Sequence, residues 1–144
     1  MAISNAEWEI MRVVWTKPKT TSSDILKVLS TKTNWTASTV KTLLKRLVDK
    51  GYLLVEKQGK KFRYSAVFDE EDSINRQVDE LFAKFCQRKH VTILKHLLGK
   101  TLMTSEDITQ FQDLLSSKEE VVLKVPCNCI PGQCRCQEHL EVLR

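Results

Sequence analysis

The chain has 144 residues, of which 42% are hydrophobic and 28% charged, with 4 Gly, 3 Pro and a formal net charge of +5. That balance fits one globular, helix-rich domain, or two small units sharing a core across a dimer, and it excludes fibrous and disordered classes. No apolar run approaches the roughly 20 residues that cross a bilayer, and "MAISNAEWEIM" lacks the basic-then-apolar order of a secretory signal, so a cytoplasmic protein with no membrane partner is expected.

Ser4 begins an S-x-x-E capping box with Glu7, and Trp8, Met11, Val14 and Trp15 follow at helical spacing, predicting a first helix that "KPKTT" breaks. Thr21 and Asp24 form a second box, opening a helix that holds Ile25, Leu26, Val28 and Leu29. After "NWTAST", Thr36 is placed to N-cap a third helix. Its apolar face is Val40, Leu43, Leu44, Leu47 and Val48, and Gly51 ends it as the C′ residue. "YLLVEK" and "KFRYSAV", flanking "QGK", predict a β-hairpin. Three helices and a hairpin in this order make a winged helix-turn-helix. Trp8 and Trp15 share an apolar stripe and Trp35 lies in an elbow, so core packing is expected for all three rather than base stacking.

Beyond Phe68, "DEED" places negative charge where a helix N-terminus favours it. Three helical stripes follow: Ile74, Val78, Leu81, Phe82 and Phe85; then Val91, Ile93, Leu94, Leu97 and Leu98; then, capped by Thr104, Ile108, Phe111, Leu114 and Leu115. These helices are too few and too strongly striped to bury their own faces, and a second copy of the chain is the simplest cover. The expected architecture is mainly α with a small β-hairpin. An N-terminal winged helix-turn-helix DNA-binding domain spans 1–68, a C-terminal helical dimerisation domain 69–120, and a Cys-rich metal-binding tail 121–144.

Charge is unevenly spread. Residues 1–68 carry 13 basic against 5 acidic side chains, and residues 69–126 carry 8 against 11. A basic front half suggests a polyanion partner. In a helix-turn-helix the second helix of the pair enters the major groove, and here its polar face is Ser38, Thr39, Lys41, Thr42, Lys45 and Arg46. Short hydroxyls approach bases and phosphates; the longer cations neutralise phosphates or reach guanine edges. Lys57, Lys60, Lys61 and Arg63 cluster at the hairpin, as a wing touching the adjacent backbone requires. Double-stranded DNA is therefore the expected partner, against the alternative of an ordinary solvated surface. No nucleophile–base or carboxylate pair is apparent, so no enzyme is expected.

"SNAEWEIMRVVW", "NWTASTVKTLLKRLVDKGYL" and "KFRYSAV" resemble the penicillinase-repressor family, the BlaI/MecI/CopY group of bacterial transcriptional regulators, from about residue 4 to residue 120. The resemblance implies a homodimer that represses transcription at a palindromic operator. It places DNA contacts at Ser38, Thr39, Lys41, Thr42 and Arg46, with Lys60 and Lys61 from the wing. It also implies that β-lactam-responsive members are inactivated by cleavage at an Asn-Phe bond. That pair falls at His96-Leu97 here, and the chain contains no Asn-Phe dipeptide, so another inducing signal is expected.

"CNCIPGQCRCQEH" places Cys127, Cys129, Cys134 and Cys136 at C-x-C-x4-C-x-C spacing. Each C-x-C puts two sulfurs on one side of an extended segment, and Pro131 and Gly132 supply a turn between the pairs. Four converging thiolates would hold one Zn(II) tetrahedrally at about 2.3 Å, or two Cu(I) through bridging sulfurs, since soft thiolates select Cu(I). The spacing resembles the tail of the copper-responsive CopY branch. That implies a zinc-loaded form on DNA and Cu(I) as inducer of copper-handling genes, with a copper chaperone as the expected Cu(I) donor. Three alternatives stay open: a structural zinc in a dimer interface, proteolytic induction, and a thiolate buffer or metallochaperone, which would need the tail but not the basic helix. Cys86, placed on the helix beside Phe82 and Phe85, is read as a small buried hydrophobe. His139, at Cys136-x-x-His139, could replace one thiolate in a zinc site, but it lies outside the paired pattern and is read as solvated, and His90 and His96 are read as surface or interface residues.

Overall fold

A computed structural model describes residues 2–140; Met1 and residues 141–144, the end of the tail assigned to 121–144, lie outside the described residues. In chain order the elements are α1 (Asn5–Thr16), α2 (Ser22–Leu29), α3 (Ala37–Asp49), β1 (Leu53–Gln58), β2 (Lys61–Ala66) and α4 (Glu70–Ala83). A 3-10 turn (Gln87–Lys89), α5 (His90–Lys100), α6 (Ser105–Ser116) and α7 (Gln137–Leu140) complete the series. The fold is mainly α with one antiparallel β-hairpin, in winged helix-turn-helix order. The described residues form two compact units that divide between Arg76 and Gln77.

In the first unit the helix ends follow the capping chemistry of the sequence, with one departure. The Glu7 N–H donates to Ser4 Oγ at 3.1 Å, but the Glu7 carboxylate does not close the box. It is only 2% exposed and accepts from Lys50 Nζ at 2.9 and 2.8 Å. A buried carboxylate is stabilised more by a cation than by one backbone amide, and the end of α3 brings that cation to it. The Thr21–Asp24 box closes both ways, at 3.2 Å each. Thr36 Oγ1 accepts from the Thr39 N–H at 3.2 Å.

Helix α3 stops at Gly51, whose φ of +82° only glycine adopts readily. There the Tyr52 N–H reaches Leu47 O at 2.9 Å and the Gly51 N–H reaches Val48 O at 3.0 Å, the Schellman pattern. The reversal turns Tyr52 and Leu53, 5% and 2% exposed, into the core. Ile10, Met11, Ile25, Val40, Leu44 and Leu47 are fully buried there, with Trp15 and Trp35 packed against them. Each such aliphatic side chain contributes about 1.5–3 kcal/mol of burial. Trp8 and Trp15 meet edge to face at 5.2 Å, and the Trp15 indole N–H donates to Phe68 O at 3.0 Å.

The hairpin pairs Leu53 with Ala66 through to Gln58 with Lys61, turning at Gly59 with φ +62°. Thr20 and Tyr64 exchange backbone hydrogen bonds at 3.0 and 2.8 Å. That pairing ties the hairpin to the α1–α2 connector and fixes its direction relative to α3.

In the second unit, Thr104 and Asp107 form a closed capping box for α6. The apolar stripes lie uncovered: Leu94 is 48% exposed, Phe111 40% and Leu115 63%. The helix before Cys86 ends at Ala83 rather than running through Phe85. His90 Nε2 lies 2.8 Å from Phe82 O, and because a carbonyl only accepts, the imidazole donates and caps α4. Cys86 therefore belongs to the corner after α4, not to its stripe. No helix among the described residues is long and apolar enough to cross a membrane.

Candidate nucleic-acid interface and metal centre

Helix α3 divides its residues cleanly. Val40, Leu43, Leu44 and Leu47 are buried, while Ser38, Thr39, Lys41, Thr42, Lys45 and Arg46 are all exposed on the opposite side. Two of the hydroxyls have local partners: Thr42 Oγ1 donates to Ser38 O at 3.0 Å, and Thr39 Oγ1 lies 3.2 Å from Thr36 Oγ1. Each keeps acceptor capacity toward an outside group. Lys60 and Lys61 are exposed at the hairpin tip, and Lys57 lies 6.0 Å from the Phe62 ring centre. Arg63 is half-buried and its Nη1 donates to Lys19 O at 3.3 Å. It anchors the hairpin to the α1–α2 connector instead of projecting from the tip.

All five cysteines are free thiols. In the tail, Cys127 and Cys129 are half-buried around an exposed Asn128, as are Cys134 and Cys136 around an exposed Arg135. Gly132, at φ +95°, makes the turn between the pairs, and the Gln133 N–H closes it on Ile130 O at 3.2 Å. Cys127 Sγ lies 3.6 Å from Cys134 Sγ and 3.7 Å from Cys86 Sγ. Two triplets, Cys127–Cys129–Cys134 and Cys86–Cys127–Cys136, each have their sulfurs within 4.8 Å of one another. Bonded sulfurs would sit about 2.05 Å apart, whereas sulfurs around a tetrahedral ion at about 2.3 Å are spaced by about 3.8 Å. The observed separations rule out a disulfide and fit ligands around one ion, so the cluster has the donor set and spacing to hold a metal.

Two members of this cluster differ from the sequence reading. Cys86 is buried, as expected, but against sulfur rather than in an apolar stripe. His139 is half-buried rather than solvated, with Nδ1 2.8 Å from Cys134 Sγ and 3.8 Å from Cys127 Sγ. The physical cause of both is the docking of the tail on the α4–α5 corner. The Gln87 N–H donates to Asn128 Oδ1 at 3.0 Å, and its side-chain amide donates to Pro126 O. Arg88 Nε donates to Val125 O at 2.7 Å, and its guanidinium grips both Glu138 carboxylate oxygens, Nη1 to Oε2 at 2.9 Å. Arg88 and Glu138 stand 50 residues apart, so no local pattern could have paired them.

Electrostatics distinguish the thiols. The Arg88 backbone N–H holds the Cys86 thiol down to about 7, while burial and the neighbouring Cys86 and Cys127 push Cys129 up to about 12. The Arg88 guanidinium also holds the Glu138 carboxyl down to about 2, so that clamp stays ionised at neutral pH.

The penicillinase repressor family model matches residues 3–117, a span that includes Cys86 and stops short of the tail cysteines. An uncharacterised 16.5 kDa protein of Latilactobacillus sakei, from the ptsI 3′ region, is 38% identical over 137 residues, covering 94% of each chain. The penicillinase repressor of Bacillus licheniformis is 29% identical over 113 residues, 78% of this chain and 88% of that protein. Among solved structures, the CopR repressor is 39% identical and covers 48% of this chain and 100% of its own, with a TM-score of 0.41. The chain thus belongs to the penicillinase repressor family, whose members are DNA-binding transcriptional repressors and not enzymes.

Proposed function

We propose that this chain is a metal-responsive repressor in which Zn(II) on the cysteine cluster supports operator binding and Cu(I), taking the same sulfurs, ends it. The observation that carries the reading is the meeting of free thiols at metal-ligand spacing in a chain of a repressor family. Residues 1–68 read DNA, 69–120 dimerise, and the tail from 121 senses the metal. The uncovered apolar faces of α4, α5 and α6 are the surfaces a second copy would bury. Two α3 helices would then enter successive major grooves of an inverted repeat, about 34 Å apart. Ser38, Thr39, Lys41, Thr42, Lys45 and Arg46 supply base and phosphate contacts, and Lys60 and Lys61 reach the flanking backbone. Arg63, held by Lys19 O, sets the hairpin's direction and contributes charge from its base.

Cu(I) prefers thiolate and tolerates low coordination, whereas Zn(II) asks for a closed tetrahedron. The two loaded forms differ in geometry and charge, and only such a difference lets a ligand shift an equilibrium between DNA-competent and released states. The test is a binding titration. Zinc-loaded full-length protein is placed on a duplex selected from random sequence for tight binding, and Cu(I) is added under reducing conditions. Release is expected, and the Cys127→Ser/Cys129→Ser variant should no longer respond to copper. A wild-type complex indifferent to copper would leave a repressor with a structural zinc.

A further inference from the structure

Cys86 stands 41 residues before the first tail cysteine, yet its sulfur lies 3.7 Å from that of Cys127. It is not an isolated thiol facing a gap. Cys86, Cys127 and Cys136 form one triplet, and Cys127, Cys129 and Cys134 form another. Cys127 belongs to both. The corner that carries Cys86 is also the one that grips the tail through Gln87 and Arg88.

Three-coordinate sulfur environments suit Cu(I) but not Zn(II), which needs a fourth donor. His139 Nδ1 lies 2.8 Å from Cys134 Sγ, a contact that supports one tail thiol. Two triplets with one shared sulfur take in every cysteine of the chain, with Cys127 as the bridge.

We propose that Cys86 is a copper ligand, and that the protein holds two Cu(I) ions on five thiolates, one in each triplet, bridged by Cys127 Sγ. Each thiol that coordinates releases its proton to solvent, and no electron is transferred. Zinc is held by the four tail thiolates and leaves Cys86 free. This deepens the preceding reading and rests on it. Copper, unlike zinc, then draws the corner immediately after α4 into the metal shell, which is how loading of the tail reaches the helices.

The test uses full-length wild-type and Cys86→Ser protein, titrated with Cu(I) against a chromogenic Cu(I) chelator and separately with Zn(II). Cys86→Ala serves as a second variant, and far-ultraviolet circular dichroism checks the folding of each. Wild type should take two Cu(I) per chain. Both variants should hold the second copper at least about tenfold more weakly, given that even the groups supporting a metal's ligands cost that much when removed, with zinc affinity unchanged. If wild type takes copper and the variants hold both ions as tightly, the Cys86 assignment is overturned while the copper-responsive reading stands. Parallel loss of zinc and copper would also overturn it, marking Cys86 as part of the corner's framework. If wild type takes no Cu(I), both readings fall.

Discussion

His139 Nδ1 lies 2.8 Å from Cys134 Sγ, inside a group of sulfurs that the spacing of the sequence alone would have called complete. Thiolate serves both metals, while imidazole, a harder donor, matters less to soft Cu(I) than to zinc. His139→Ala should weaken zinc binding by about tenfold or more and leave Cu(I) affinity nearly unchanged; Cys136→Ser should weaken both. Competition titrations with a chelator for each metal check both. Equal loss of zinc and copper in His139→Ala would remove the imidazole's selective role.

Lys41 and Arg46 project from the exposed face of α3, away from its buried leucines, so their loss should act on DNA and not on folding. Lys41→Ala and Arg46→Ala should each weaken binding, and removing one phosphate-neutralising cation should lower the salt-dependence slope by about 0.9. Fluorescence anisotropy over a salt series measures both. Unchanged affinity and slope in both variants would place the DNA contacts elsewhere.

The buried pair of Glu7 and Lys50 makes a different prediction. Lys50→Ala leaves a carboxylate that is 2% exposed without its cation, a change that typically costs about 3–5 kcal/mol. Denaturant unfolding should show a correspondingly lower midpoint. A variant as stable as wild type would mean that the carboxylate finds another partner.

Asp24, in its capping box, has its carboxyl held down to about 2 from an ordinary 3.8, chiefly by Lys17 and then by the Thr21 N–H. A depressed carboxyl stabilises the fold above its unfolded value, and that contribution fades as pH falls through the folded one. The stability gap between wild type and Asp24→Ala should be constant near neutrality and shrink between about pH 4 and about pH 2. Urea unfolding at a series of pH values follows it; a gap independent of pH would contradict the assignment.

Leu94 and Phe111 are large, exposed and apolar. Leu94→Glu and Phe111→Glu should shift sedimentation from dimer toward monomer and weaken binding to an inverted repeat more than to a half-site. An unaltered dimer would move the interface off these faces.

Much of the first unit was legible because its signals are local. Thr21, Thr36 and Gly51 act within a few residues of their own position, and the structure places each at the helix end the sequence indicates. Glu7 marks the limit: S-x-x-E spacing predicts a bond back along the chain, but tertiary burial supplied a stronger partner in Lys50. The C-x-C pairs were legible from alternation alone. The place of Cys86 beside them was not, since α4 stops at Ala83 and the Arg88–Glu138 clamp that docks the tail closes over a long separation.

The most direct test follows zinc content and DNA occupancy together. Zinc-loaded protein on its selected duplex is titrated with Cu(I), with a zinc-sensitive dye reporting the ion released and anisotropy reporting the DNA. The two curves should share one midpoint. Zinc leaving with DNA still bound, or DNA released with zinc retained, would contradict the account.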